Sequence, residues 1–191
     1  MQPNVPSDFS HCNTQARFTP AGDEVRRVEP KIDFVFPEVP FPSKKIFAAM
    51  GAERITQMVH HHHTLLRKSA IGAMFPADDA AFDEVTRRTA AFFIEATGGP
   101  SLFSEAHGHP ALRERHFRFL IDEKAREIWL MMYKKTLKEV DFPKEHLEEF
   151  WNWIEPLSIR MINRRTGFEA PRRHPFDAIA REFAPEELPC R

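Results

Sequence analysis

The sequence predicts an all-α protein, and its composition and patterning support this fold class. Long alternating runs of β-branched residues, which are typical of strands, are absent. Glycine is scarce, with 7 residues, whereas phenylalanine is abundant, with 18. Several stretches instead repeat apolar residues every three or four positions, which is the spacing of one helix face. We therefore expect helices packed around a core rich in phenylalanine.

Charge and cysteine content exclude several classes of partner. The formal net charge is −1, so no bulk field attracts nucleic acid or an anionic membrane. The sequence contains neither a long apolar run nor the basic and apolar regions of a signal peptide. Cys12 and Cys190 both lie in proline-rich ends, so no disulfide framework or thiolate metal cluster is expected. We expect a cytoplasmic protein, a monomer or homodimer, with no nucleic-acid or membrane partner.

The distribution of proline divides the chain into three parts. Residues 1–42 hold seven prolines and little periodicity, which predicts an extended arm that wraps the domain through the apolar residues at 34–41. Residues 43–164 carry the helical patterns and form the predicted domain. Residues 165–191 are rich in arginine and proline and predict a solvated tail, with one helical turn within 176–183.

Periodicity and capping residues predict the main helices of the domain, after a short helix that begins near Ser43. The main helices cover about residues 52–69, 79–97, 122–138 and a stretch that begins near Pro143. Asp78 or Asp79 is expected to cap the second of these and Asp122 the third, because carboxylates accept free N–H groups at helix starts. Pro156 should kink or break the last helix.

Four consecutive histidines, residues 60–63, lie inside the first main helix. At about 100° per residue, the apolar stripe of this helix centres almost on His62. His61 and His63 lie to either side of the stripe, and His60 points away. We therefore predict that one of the four, His62, faces the interior. It would be either a core histidine with a satisfied hydrogen bond or a donor or metal ligand in a pocket.

A further histidine, His116, follows a proline that can begin a helix. With Pro110 in the first turn, Leu112 and His116 share one face, and Arg113 and Arg115 project to its sides. An imidazole flanked by two guanidinium groups suits a flat apolar cofactor that carries carboxylates. If such a cofactor holds iron, a ring nitrogen of His116 would bind the iron and the arginines would bind the carboxylates. An ordinary packed or surface histidine fits the same pattern.

Four motifs that follow one another along the chain are similar to those of the truncated haemoglobins, especially of the second group. They are Gly98-Gly99-Pro100, His107-Gly108-His109-Pro110, Leu112-Arg113-Glu114-Arg115-His116, and Trp129, thirteen residues after the last histidine. The similarity covers about residues 47–163. It implies a two-over-two helical fold around haem b, with the proline-rich arm and the tail as additions.

The resemblance also implies which residues form the haem site. His116 would be the proximal iron ligand and therefore the metal-binding residue, and Phe75 would stack on the haem. Val85 and Thr89 would face the bound gas from the distal helix, and the indole N–H of Trp129 would point into the same pocket. The predicted haem contacts are His116, Phe75, Val85, Thr89, Leu112, Arg113, Arg115 and Trp129.

The main departure from the family pattern lies at His62. Counting back from Phe75-Pro76, His62 falls where the family usually has a tyrosine. Aligning the Met58-Val59 pair instead would select His63, but the apolar stripe of the helix favours His62. A histidine can donate a hydrogen bond to a bound gas, but it can also ligate iron itself. The predicted polar residues of the distal pocket are therefore His62, Thr89 and Trp129. The predicted apolar wall consists of Phe75, Val85, Phe92 and Met132.

The expected function is reversible binding of a diatomic gas, which would be O₂, NO or CO, in oxygen handling or in detoxification of NO or peroxide. The alternative is a haem enzyme, an NO dioxygenase or a peroxidase-like protein. It would need an external electron donor, because the sequence holds no flavin or nicotinamide domain. A haem-free alternative places zinc or non-haem iron among His107, His109, His116 and residues 60–63.

Overall fold

The computed structural model of the chain describes residues 34–183, and within that range every regular element is a helix. The helices are α1 (Lys45–Arg67), α2 (Asp79–Ala96), α3 (Leu102–His107), α4 (Leu112–His116), α5 (Glu123–Glu139), α6 (Leu147–Met161) and α7 (Phe176–Ile179). Single 3₁₀ turns occur at Gly72–Met74, Lys144–His146 and Ala180–Phe183. The all-α prediction is confirmed. The first 33 residues of the predicted arm, the last eight of the tail, and both cysteines lie outside the described residues.

The starts of α2 and α5 follow the predicted capping. The Asp78 carboxylate accepts the backbone N–H three residues on at 2.8 Å, and the Asp122 carboxylate does the same at 2.7 Å. After α2 the chain turns at Gly98, whose φ of 106° lies in the left-handed region. A Cβ at Gly98 would stand 2.5 Å from the Cα of Lys44, so glycine lets the start of α1 approach this turn.

Gly51 and Pro156 mark the two places where a helix is expected to break, and they behave differently. Gly51 adopts φ 70° and ψ 171° inside α1, which separates a short first segment from the main helix, as predicted. Pro156 was predicted to kink or break its helix; α6 continues through it to Met161, so a break is wrong. The carbonyl that loses its partner there belongs to the exposed Asn152, where solvent can take the place of the missing N–H.

The helices pack as two pairs around one core. α1 packs against both α2 and α5, and α5 packs against α6. The core between the pairs is rich in aromatic rings, and its fully buried members include Ile55, Tyr133, Phe150, Trp153 and Ile154. Full burial of one such apolar side chain stabilises the fold by about 1.5–3 kcal/mol. This arrangement is the two-over-two packing expected from the resemblance. Within residues 34–183, no helix has the length and apolar content needed to span a bilayer.

The described part of the arm, residues 34–42, lies against the domain. The Arg160 guanidinium donates to the Pro37 carbonyl at 3.1 Å, and the Arg165 guanidinium lies 4.8 Å from the centre of the Phe34 ring. Cation–π contacts of this kind contribute about 0.5–1 kcal/mol at exposed sites. Arginines near the end of α6 therefore hold this stretch in place.

The tail was expected to be solvated with one helical turn within 176–183; the turn is present and most of residues 165–183 are exposed, but part of this stretch is docked on the domain. Ile179 is 4% exposed and packs on the core. The indole N–H of Trp151 donates to the His174 carbonyl at 2.6 Å. Charge alone misled the prediction in part, because Arg165 is paired with Glu123 of α5 and Arg173 with Glu155 of α6.

A buried ion pair joins α5, α6 and the tail. Arg126 is 2% exposed and Glu155 is 1% exposed, and their side chains meet at 2.6 Å. Arg126 also donates to the Ser158 hydroxyl at 2.8 Å, and Arg173 of the tail reaches the second oxygen of Glu155 at 2.9 Å. Because both ions are buried away from water, each is stabilised by the charge of the other instead of by solvent.

Glu155→Gln should therefore lower the free energy of unfolding by about 3 kcal/mol, because it leaves the Arg126 charge buried beside a neutral amide. Urea unfolding followed by circular dichroism would measure the change. Glu84→Gln is the matched control, because Glu84 pairs with Arg87 on the surface of α2 at 2.5 Å and its loss should have no measurable effect. Equal stability of the two variants would contradict a structural role for the buried pair.

Candidate functional site

A cavity of about 470 Å³ lies between the two helix pairs. This volume is within the range of small-molecule and cofactor sites, about 300–1,000 Å³. The predicted site residues that line it are His62, Phe75, Val85, Thr89, Leu112, Arg115, His116 and Trp129. Residues that are scattered over more than sixty positions of the sequence are thus brought together around one space.

His116 ends the five-residue helix α4 and faces this cavity. Its Nδ1 lies 2.6 Å from the Leu112 carbonyl oxygen, which can only accept, so Nδ1 carries the proton. Within residues 34–183 no protein group bonds to Nε2, which keeps its lone pair. Burial lowers the pKa of His116 and favours this neutral form. The side chain therefore presents a metal-binding nitrogen with a fixed tautomer, as ligating histidines commonly do.

Asn163, just beyond α6, fixes the position of this short helix. Its side-chain amide donates to the carbonyls of His116 at 2.9 Å and Phe119 at 2.8 Å. Its side-chain oxygen accepts the backbone N–H of Ile121 at 3.0 Å. The turn that carries His116 is therefore attached to the end of α6 by three hydrogen bonds from one residue.

The arginines around His116 differ partly from the prediction. Arg115 lines the cavity, and its Nε donates to the Pro110 carbonyl at 2.8 Å. Arg113 does not line the cavity, because its guanidinium donates to two backbone carbonyls at the end of α6. Arg118 lines the cavity in addition to Arg115, and sequence reasoning missed it. Arg88 also lines the cavity, and the Arg115 guanidinium is already bonded to two backbone carbonyls, those of Pro110 and His107. Within residues 34–183, the cavity-lining guanidinium groups without a hydrogen bond are therefore those of Arg88 and Arg118.

His62 is buried, as predicted, and its ring is held on two sides. Its Nε2 lies 3.3 Å from the Trp129 carbonyl and therefore donates to it, and its ring centre lies 3.6 Å from that of Tyr133. Its Nδ1 has no hydrogen-bond partner in the described part of the chain. Burial holds the pKa of His62 well below its ordinary value, so the imidazole is neutral.

His63 is also buried, which corrects the prediction that only one of the four histidines faces the interior. It is 7% exposed, and its Nδ1 lies 3.1 Å from the Thr86 hydroxyl. Burial, together with the nearby His60, lowers the pKa of His63 to about 4. The single-stripe prediction failed because α1 is covered by α2 on one side and α5 on the other, so two neighbouring faces are buried.

The other polar groups of the cavity differ in whether they can donate or only accept a hydrogen bond. The Thr89 hydroxyl donates to the Val85 carbonyl at 3.0 Å, so its proton is used within α2 and it can only accept. The indole N–H of Trp129 forms no hydrogen bond within residues 34–183 and remains a donor. Met132 does not line the cavity, contrary to the prediction, whereas Leu157 and Met161 of α6 do.

Sequence reasoning also missed polar residues that line the cavity from α5 and α6. Arg126 and Ser158, which belong to the buried ion network, form part of its wall, and so does Tyr133. The signal was present for Arg126, because it lies three and seven residues before Trp129 and Tyr133, on the same helix face. An arginine within an apolar stripe indicates a buried partner.

The chain belongs to the bacterial-like globin family, whose model matches residues 45–163. This match, together with the relatives below, confirms the resemblance to the group II truncated haemoglobins and makes haem b the cofactor. The cavity fits this group, because His116 and Phe75 line it together with Arg88 and Arg118, whose guanidinium groups can meet carboxylates. The protein is thus a haem globin of the gas-binding type.

Three relatives illustrate the similarity. The group 2 truncated hemoglobin YjbI of Bacillus subtilis (strain 168) is 29% identical over 119 residues, which are 62% of this chain and 88% of the relative. The crystal structure of phosphate-bound Hell's gate globin IV is 51% identical, with a TM-score of 0.78, over 82% of this chain and 98% of that one. The truncated oxygen-avid haemoglobin from Bacillus subtilis is 30% identical, with a TM-score of 0.57, over 61% and 98%.

The haem-free alternative has no support in the geometry. Within residues 34–183, no group of three or more His, Cys, Asp or Glu side chains is arranged to hold a metal ion. His107 and His109 do not line the cavity that His116 faces.

The low pKa of His63 predicts loss of stability in acid. The unfolded chain takes up a proton near the ordinary value of 6.5, whereas the folded protein does so near 4. The unfolded state therefore binds more protons between these values. The contribution of His63 to stability is complete above pH 6.5 and falls by about 3 kcal/mol as the pH approaches 4.

His63→Gln should remove this part of the pH dependence, because glutamine can still bond to the Thr86 hydroxyl but does not titrate. Urea unfolding at pH 7 and pH 4.5 measures it, with the exposed His109→Gln as control. A variant that loses as much stability as the unsubstituted protein would contradict a buried neutral His63.

Proposed function

We propose that this chain reversibly binds a diatomic gas at haem b, with O₂ as the main ligand and NO or CO as further ones. The observation that carries the proposal is the combination of a free His116 Nε2 and an unbonded Trp129 N–H around one largely apolar cavity. Haem supplies the iron at which a gas coordinates, and distal polarity decides between binding, activation and electron transfer. The similarity to the truncated oxygen-avid haemoglobin from Bacillus subtilis supports the choice of O₂.

The proximal side of the proposed site is set by hydrogen bonding. The Leu112 carbonyl accepts from His116 Nδ1 at 2.6 Å, which fixes the ring and makes Nε2 more basic. Asn163 holds the same turn from α6. These contacts favour a ligand that stays in place when the gas binds and leaves.

The distal side has few polar groups, and they differ in whether they can donate or accept a hydrogen bond. Trp129 offers a donor, whereas Thr89 offers only an acceptor because its proton is bonded to the Val85 carbonyl. Phe75 and Val85 are apolar and limit access of water. A hydrogen bond from Trp129 to a gas that carries partial negative charge is stronger in such an environment than in water.

We further propose that His62 leaves the gas position open rather than ligating the iron. Its Nε2–H is bonded to the Trp129 carbonyl, and its ring lies against Tyr133. Ligation through Nε2 would require both contacts to break. The resting ferric protein should then give a water-ligated, pH-sensitive spectrum, and a bis-histidine low-spin spectrum would argue against the open form.

The haem-enzyme alternative has one observation in its favour. His62 lines the cavity as a neutral imidazole, the kind of proton acceptor that peroxide chemistry requires, although its unpaired Nδ1 is enclosed and would have to turn toward the cavity to act. Turnover of NO or peroxide would also need an external electron donor. Peroxide-dependent oxidation of a reporter dye that is lost in His62→Leu would favour this alternative over simple gas binding.

His116→Gly should abolish the proximal bond, because no other side chain stands at this position. We expect loss of haem on gel filtration, or a weakened Soret band that added imidazole restores by filling the space. The exposed His109→Gly is the matched control and should retain the unsubstituted spectrum. Full haem retention with an unchanged ferrous spectrum in His116→Gly would rule out the assignment.

Trp129→Phe should speed O₂ release about fivefold, since it removes one neutral hydrogen-bond donor and keeps an aromatic ring. Stopped-flow displacement of O₂ from the ferrous complex measures the rate. Met131→Leu, on the exposed side of α5, is the control. An O₂ dissociation rate that does not change would mean that Trp129 only packs.

A further inference from the structure

Tyr133 is the single tyrosine of the 191 residues, and it lies one helical turn after Trp129 on α5. It is 1% exposed and lines the cavity. Burial without a compensating contact raises the pKa of its phenol, so the hydroxyl stays protonated across the working pH range. Neither the family match nor the gas-binding proposal has given this side chain a role.

The Tyr133 hydroxyl has no hydrogen-bond partner within residues 34–183. The Tyr133 oxygen is also not fully enclosed, in contrast to His62 Nδ1 and Thr136 Oγ1, which are enclosed and have no partner. The oxygen is therefore accessible, and the cavity is the space that this otherwise buried residue borders. Buried tyrosine hydroxyls usually find a partner. A molecule held in the cavity is the partner that remains.

Neighbouring rings hold Tyr133 in one orientation. Its ring centre lies 3.6 Å from that of His62, 4.4 Å from that of Trp129, and 6.0–6.2 Å from those of Phe150 and Phe93. Contacts on several sides leave little rotamer freedom. A donor that is already oriented loses little entropy when it forms a hydrogen bond.

The donors on the cavity wall around Tyr133 are few. The His62 N–H is bonded to the Trp129 carbonyl, and the Thr89 proton is bonded within α2. Tyr133 therefore adds a hydroxyl donor to the indole donor of Trp129. We propose that Tyr133 donates a hydrogen bond to the gas in the cavity and so favours O₂ over CO. This inference rests on the proposed gas binding.

The discrimination follows from the charge on the ligand. At a haem iron, O₂ would carry more negative charge than CO and would accept a hydrogen bond from the Tyr133 hydroxyl more strongly. Loss of one neutral donor should therefore act mainly on O₂. The expected change is about fivefold in its dissociation rate, the factor that one ordinary hydrogen bond gives.

The test is Tyr133→Phe in the haem-loaded protein, which removes the hydroxyl and keeps the ring. We expect O₂ dissociation to become about fivefold faster, CO dissociation to change less than twofold, and the C–O stretching frequency of the CO complex to rise. The frequency responds to a nearby donor and not to packing. The free energy of unfolding should stay the same, because the hydroxyl has no partner within the described residues.

Thr136→Val is the matched control. Thr136 lies three residues further along α5, is fully buried, and has an unpaired hydroxyl, but it does not line the cavity. Its loss should leave both gas rates and the C–O frequency unchanged.

Two results would overturn the role of Tyr133. One is an unchanged C–O frequency with unchanged O₂ release in Tyr133→Phe, and the other is an equal acceleration of O₂ and CO, which would indicate a steric effect. If the unsubstituted protein binds neither gas, the proposed function fails and this inference fails with it. If the unsubstituted protein and Tyr133→Phe bind both gases equally well, only the role of Tyr133 fails, and the proposed gas binding stands.

Discussion

The buried pair of Arg126 and Glu155 is the interaction on which the rest of the structure depends. It connects α5 to α6, and through Arg173 it also fastens the C-terminal stretch to both. Arg126 and Ser158 at the same time form part of the cavity wall. A charged network within the core is costly unless every member is paired. The network therefore specifies one arrangement of the helices around the haem rather than many of similar energy.

The chemistry of the cavity follows from which hydrogen-bonding groups are already used by the protein. Neutral imidazoles, a threonine bonded to its own helix and apolar walls leave Trp129 and Tyr133 as donors without partners in the described chain. His116 offers a lone pair because its other nitrogen is bonded to the Leu112 carbonyl. In the proposed site, His116 would thus supply an electron pair to the iron on one side, and Trp129 and Tyr133 would donate hydrogen bonds to a ligand on the other.

Local signals in the sequence predicted much of this structure. The features that the sequence did not predict depend on tertiary contacts. The Asp78 and Asp122 caps depend on nearby residues and were predicted, and the order of motifs located His116. The burial of His63 depends on two helices that cover α1, which a single apolar stripe cannot reveal. Arg113 turned to backbone carbonyls of α6, although its sequence neighbours suggested a carboxylate partner. The tail packs against the domain because it pairs with Glu155, and the composition does not show that Glu155 is buried.

The attachment of α4 by Asn163 has a consequence for the position of His116, the proposed iron ligand. A helix of five residues is too short to be stable in isolation, so the position of His116 is inherited from the end of α6. The same end is continuous with the tail, which Arg165 ties to Glu123 of α5 at 2.6 Å. The docking of the C-terminal stretch on α5 therefore also fixes the end of α6, to which the turn that carries His116 is bonded.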